Sequence, residues 1–85
     1  MQNRVAIIGI IVENPASVGE LNALLHEYGG YIIGRMGIPY REKSMSIISI
    51  AIDAPQDVIS SLAGKLGNVP GLSVKTAYSS VQHEE

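Results

Sequence analysis

Residues 4–13 (RVAIIGIIVE) begin and end with a charged residue, and no polar side chain lies between Arg4 and Glu13. The run shows no alternation of polar and apolar positions, and most of its residues are β-branched. Such short runs are typical of a strand at the centre of a sheet, covered on both faces. We therefore expect the fold to provide a neighbouring strand on each side of this segment and a packing layer on each of its faces.

Two amphipathic helices and three further strands are predicted after this run, because apolar residues change from helical to extended spacing and back. The predicted strands are residues 4–13, 30–38, 44–53 and 71–78, and the predicted helices are residues 15–29 and 55–66. The helix residues expected in the core are Val18, Leu21, Leu25, Tyr28, Ile59, Leu62 and Leu66.

The order β-α-β-β-α-β is that of the ferredoxin-like split-βαβ motif. Right-handed crossovers place both helices on one face of a four-stranded antiparallel sheet, with the first and third strands at its centre. The predicted fold class is therefore an α+β, ferredoxin-like βαββαβ sandwich. Eighty-five residues suffice for one core, so we expect a single domain over residues 1–78 and a polar tail over residues 79–85.

The ends of the helices carry recognisable signals. The first helix can begin at Asn14 with Pro15 in its first position, or at Ser17 with a capping box to Glu20. The sequence alone does not decide between these two starts of the helix. Glycines at positions 29, 30 and 67 are expected to end the two helices in the left-handed conformation.

The sheet face opposite the helices is predicted to be apolar. The first strand leaves either Ala6, Ile8 and Ile10 or Val5, Ile7 and Ile11 on that face, whichever set packs against the helices. Large exposed apolar patches mark interfaces. We therefore expect this face to be covered by a second copy of the chain in a homodimer, and two such dimers can stack into a tetramer.

Composition excludes several kinds of site. Without cysteine the chain has no disulfide framework and no thiolate zinc site. A net charge of −2 disfavours direct binding of nucleic acid or of an anionic membrane. No apolar run is long enough to span a bilayer and no signal peptide opens the chain, so a cytoplasmic location is expected.

No catalytic set is apparent, so the chain is predicted not to be an enzyme and to need no cofactor. None of its serines lies in a nucleophile elbow, and neither His26 nor His83 has an evident orienting acid. His26 lacks partner ligands for a metal, and His83 lies beside Glu84 and Glu85 in the tail.

Two segments are candidate ligand sites. The first is the turn after strand one, which contains Glu13, Asn14 and Ser17. The free backbone N–H groups at the start of the following helix attract anions and carboxylates. The alternative interpretation is that these polar side chains only cap the helix. The second segment contains Arg35, Tyr40 and Arg41. Arg35 interrupts an apolar strand, and it can protect a sheet edge, form an ion pair between subunits or hold an acidic ligand.

Several stretches together resemble a known family. They are residues 22–26 (NALLH), 35–42 (RMGIPYRE), 45–52 (MSIISIAI), 62–67 (LAGKLG) and 71–76 (GLSVKT). The sequence resembles the small stand-alone ACT-like proteins proposed to regulate the iron-only hydrogenase system, which are similar in fold to the C-terminal domain of the nickel-responsive repressor. The resemblance covers roughly residues 3–78.

This resemblance implies a non-enzymatic regulatory domain that senses a small ligand, assembles with itself or a partner, or does both. The alternative is a stand-alone DNA-binding transcriptional regulator. The nickel site of the repressor uses several histidines and a cysteine, so nickel sensing is not expected of a chain without cysteine. The ACT ligand loop is only partly kept, because three residues separate Asn14-Pro15 from Gly19-Glu20-Leu21.

Overall fold

Four strands and two α-helices follow one another in the predicted order. The computed structural model describes residues 3–81. Its strands are β1 (Asn3–Val12), β2 (Ile32–Tyr40), β3 (Met45–Pro55) and β4 (Leu72–Tyr78), and its helices are α1 (Val18–Glu27) and α2 (Gln56–Gly67). Short 3₁₀ turns lie at Pro15–Ser17, Gly29–Tyr31 and Arg41–Lys43. His83, Glu84 and Glu85 of the predicted tail lie outside the described residues.

The sheet has the strand order β2-β3-β1-β4, and every neighbouring pair is antiparallel. The predicted central position of β1 and β3 is therefore confirmed. Ile8 lies opposite Ile50, and Ile10 lies opposite Ile48. Because directly opposite residues point to the same face, this register places the isoleucines of both central strands together under the helices.

One core fills the space between the sheet and the two helices. Its fully buried large side chains are Ile8, Ile10, Leu21, Ile50, Ile52, Ile59, Leu62 and Leu66. Leu25 and Tyr28 are also buried, as predicted. The prediction for Val18 is wrong, because its side chain is 38% exposed. Val18 is the first residue of α1 and borders an open groove instead of the core.

Helix α1 is preceded by a separately capped 3₁₀ turn. The Asn14 Oδ1 atom accepts a hydrogen bond of 3.0 Å from the Ala16 amide, with Pro15 in the first position. Asn14 thus caps the 3₁₀ turn as predicted for a helix start, whereas α1 itself begins at Val18 with Ser17 at its N-cap position. The capping box does not form, because the Ser17 hydroxyl donates to the Pro70 carbonyl oxygen instead.

The predicted left-handed glycines at positions 29, 30 and 67 are wrong. Within residues 3–81, the left-handed residues are Ser44 (φ 53°) and Gly71 (φ 87°). Helix α1 runs on into a 3₁₀ turn, and α2 ends on Gly67 with the right-handed Asn68 following. None of the helices in this part of the chain is long and apolar enough to cross a membrane.

Candidate functional site

The sheet face turned away from the helices, here called the open face, is apolar over three of its strands. The register places Ile7 and Ile11 of β1, Ile47 of β3, and Met36 and Ile38 of β2 on this face. All five side chains are exposed: Met36 is 65% exposed, Ile38 is 55% exposed and Ile7 is 51% exposed. The alternate residues of β1 that lie on the open face are therefore Val5, Ile7 and Ile11, a choice that the sequence alone left undecided.

The β4 side of the open face is polar. Ser73 and Lys75 lie there, opposite Ile11 and Gly9 of β1. Because Gly9 has no side chain, the centre of the face holds a shallow hollow of about 360 Å³. The apolar surface thus extends from this hollow toward the β2 edge and does not cover the whole sheet.

A groove separates α1 from the edge strand β2, and we call it the α1–β2 groove. Helix α1 packs beside α2, where Tyr28 and Ser61 share a hydrogen bond of 2.9 Å between their hydroxyls. All β2 residues after Ile32 remain exposed. Gly37 faces the helix layer, opposite Ile48, and contributes no side chain to fill the gap.

The groove contains three hollows in a row. The first has a volume of about 320 Å³ and is lined by Val12, Pro15, Val18, Pro39, Arg41, Ser44, Met45 and Ser46. The second, of about 200 Å³, shares Val18, Pro39 and Ser46 with the first. The third, of about 390 Å³, is lined by Asn22, Leu25, His26, Gly29, Ile32 and Arg35.

Arg35 bridges the two sides of the groove. It lies opposite Ile50 and so faces the helix layer, and its Nη2 atom donates a hydrogen bond of 3.0 Å to Asn22 Oδ1 on α1. Arg35 also lines both the second and the third hollow. The side chain thus ties the edge strand to the helix and stands between two of the hollows.

Arg41 and Tyr40 follow one another but lie on different surfaces. Tyr40 is the last residue of β2, opposite Met45, and therefore belongs to the open face. Arg41 begins the 3₁₀ turn of the hairpin and lines the first hollow. The hairpin turn is shorter than predicted, because β2 continues to Tyr40.

The turn after β1 packs against the turn before β4. The Glu13 amide donates a hydrogen bond of 2.7 Å to the Gly71 carbonyl oxygen, and a Glu13 carboxylate oxygen accepts one of 3.0 Å from the Ser73 hydroxyl. Ser17 is buried on the same turn. The polar groups of Glu13 and Ser17 are thus engaged in holding the two turns together, and the Asn14 side chain caps the 3₁₀ turn.

The structure therefore brings two of the six candidate residues to one groove. Arg35 and Arg41 line it, whereas Glu13, Asn14 and Ser17 contact the turn before β4 and Tyr40 lies on the open face. The sequence alone did not identify Val18, Pro39 and Ser46 as residues that line the groove. Gly37 was the available signal, since a glycine inside a strand pattern often marks a gap in packing.

The ionisable groups between the two helices form a separate cluster outside the groove. The nearby Lys65 ammonium and the Ser61 hydroxyl lower the pKa of Tyr28. Hydrogen bonding to Tyr28 and Glu27 raises the pKa of Lys65. Within residues 3–81, no three His, Asp or Glu side chains form a group that could hold a metal ion.

The sequence model of one protein family matches residues 4–76 of this chain. The family is described as TM1266-like, a proposed iron-only hydrogenase system regulator. The chain belongs to this family. The predicted resemblance is thereby confirmed at the level of the family.

Solved structures agree with this assignment. The uncharacterised protein TM1266 from Thermotoga maritima is 36% identical, with a TM-score of 0.86 over 89% of this chain and 96% of that chain. No curated protein sequence matches the chain.

Two more distant structures support the fold alone. One is the apo form of CPII from Thiomonas intermedia K12, a nitrogen regulatory PII-like protein, at 15% identity and a TM-score of 0.64 over 99% of this chain and 98% of that chain. The other is a formyltetrahydrofolate deformylase from Pseudomonas putida KT2440, at 14% identity and a TM-score of 0.62 over 86% of this chain and 28% of that chain. These matches confirm the predicted ferredoxin-like class.

Proposed function

We propose that this protein is a non-enzymatic, cytoplasmic regulator of the iron-only hydrogenase system that acts as a homo-oligomer assembled through the open face. The observation that carries the proposal is the apolar surface of Ile7, Ile11, Met36, Ile38 and Ile47. Contiguous exposed surfaces of this kind mark protein interfaces. Membership of the TM1266-like family supports the regulatory role.

The distribution of polarity on the open face indicates how two copies would meet. A two-fold interface places the same patch of each copy against the other. The ammonium of Lys75 on β4 would be costly to bury without a partner. We therefore infer that β2, β3 and β1 form the contact, with Lys75 at its rim, where charge influences register more than affinity.

A stable contact of this type buries about 800 Å² on each partner. The open face is the surface of the sheet that offers several exposed isoleucines side by side. A closed two-fold dimer is the commonest way to bury one self-complementary patch, and two dimers can then form a tetramer.

Ile47→Glu tests the assembly. The substitution puts a charge at the centre of the patch, so we expect the wild type to scatter light as a dimer or larger and the variant to scatter as a 9.1 kDa monomer. Ala23→Glu, on the exposed side of α1, is the matched control and should keep the assembly. A monomeric wild type at micromolar concentration would contradict the proposal.

The regulatory role is tested in the source organism. Deletion of the gene should change iron-only hydrogenase activity, and wild type or Ala23→Glu should restore it. Ile47→Glu should fail to restore it although circular dichroism shows a folded chain. Unchanged hydrogenase activity after deletion would refute the regulatory role and would leave the assembly itself unaffected.

A further inference from the structure

The three arginines of the chain differ in the groups that their guanidinium contacts. The Arg4 guanidinium lies 4.4 Å from the ring centroid of Tyr78 and is also hydrogen-bonded, and Arg35 is hydrogen-bonded to Asn22. For Arg41, residues 3–81 supply neither a side-chain hydrogen bond nor an ion pair. The arginine with no such partner in the described part of the chain is therefore the one that lines the first hollow of the α1–β2 groove.

The first hollow has both apolar and polar lining residues. Val12, Pro15, Val18 and Pro39 contribute the apolar groups. Arg41, Ser44 and Ser46 contribute the polar groups. With a volume of about 320 Å³, it reaches the lower end of the range for small-molecule pockets, and the second hollow extends it along β2.

The charge in this part of the groove has one sign. Arg41 lines the first hollow and Arg35 the second, and no aspartate or glutamate among residues 3–81 lines either of them. A chain with a net charge of −2 thus presents two guanidinium groups along an apolar depression, with no carboxylate of the described residues beside them. An arginine fork matches a carboxylate in a bidentate pair.

We propose that the α1–β2 groove binds a small organic carboxylate with an apolar body. The Arg41 guanidinium holds the carboxylate, and Val12, Val18 and Pro39 cover the apolar body in the first hollow. Leu21 and Gly37 provide the floor of the second hollow, into which a longer body extends. This site opens on the helix side of the sheet and meets the open face at Ile38, which also lines the second hollow. Binding of the carboxylate by Arg41 does not depend on assembly.

Two probe molecules, one charged and one uncharged, test the site. The ¹⁵N-labelled protein is titrated with phenylbutyrate and, separately, with phenylbutanol, which has the same ring and chain but no charge. We expect phenylbutyrate to cause saturable shifts at the amides of Val18, Gly37 and Ser46, and to bind at least about fivefold more tightly than the alcohol. Equal binding of the two probes would overturn the proposal.

Two variants assign the charge to Arg41. Arg41→Gln should abolish the preference for the acid, whereas Lys43→Gln removes the same charge from the same turn without touching the hollow and should keep it. An equal loss in both variants, shifts centred on Ile11 and Ile47, or the lack of any saturable shift would each refute the site. Ile47→Glu should bind phenylbutyrate as the wild type does, so failure of assembly and failure of this site are distinguishable.

Discussion

Gly71 holds the two turns at one end of the sheet in contact. Its φ of 87° is left-handed, and a Cβ atom there would lie 2.7 Å from both Asn14 Cβ and Ser17 Oγ. The backbone of the turn can therefore approach the start of α1 closely only because residue 71 has no side chain. The same approach engages the Ser17 hydroxyl and removes it from the candidate site.

We expect Gly71→Ala to lower the free energy of unfolding by about 2–5 kcal/mol, since the left-handed conformation costs about 1–2 kcal/mol and the overpacking about 1–3 kcal/mol. Urea denaturation measures the change. Gly67→Ala is the control, because a Cβ at Gly67 has no neighbour within 4 Å. Equal stability of Gly71→Ala and the wild type would show that the turn relaxes freely.

At the scale of elements, helix α2 has a buried side and an exposed side. Substitutions by alanine on these two sides are expected to change the free energy of unfolding in opposite directions. Leu62 is fully buried in the core. Gly64 is exposed on the same helix, where a Cβ would have no neighbour within 4 Å. The two positions separate the contribution of packing from that of helix propensity.

Leu62→Ala is expected to lower the free energy of unfolding by about 2–5 kcal/mol because it leaves a cavity. Gly64→Ala should raise it by about 0.5–1 kcal/mol, because alanine restricts the unfolded chain and favours the helix. Thermal and urea unfolding of both variants measure these changes. A change of less than about 0.5 kcal/mol in Leu62→Ala would place that side chain at the surface.

At the scale of the whole molecule, assembly through the open face makes thermal stability depend on protein concentration. If folded copies assemble and unfolded chains do not, the thermal midpoint rises with protein concentration by mass action. We expect the wild-type midpoint to rise between about 5 and about 500 μM and the Ile47→Glu midpoint to stay constant. Calorimetry at several concentrations measures this, and a constant wild-type midpoint would contradict assembly through the open face.

Local patterns in the sequence were sufficient for the order and type of the elements. The spacing of apolar residues changes from extended to helical within a few positions, and each pattern depends on side-chain direction along one element. The apolar character of the open face also followed from sequence alone, since β1 has no polar set of alternate residues on either parity. The family resemblance was visible in the same way.

Contacts between distant segments decided the rest. Which isoleucines of β1 face the helices depends on the register with β3, and the left-handed glycine is residue 71 because that turn must approach Asn14 and Ser17. The α1–β2 groove exists because α1 packs beside α2 and leaves β2 uncovered. No local pattern contains this information, since the free energy of each contact depends on residues that only the folded chain brings together.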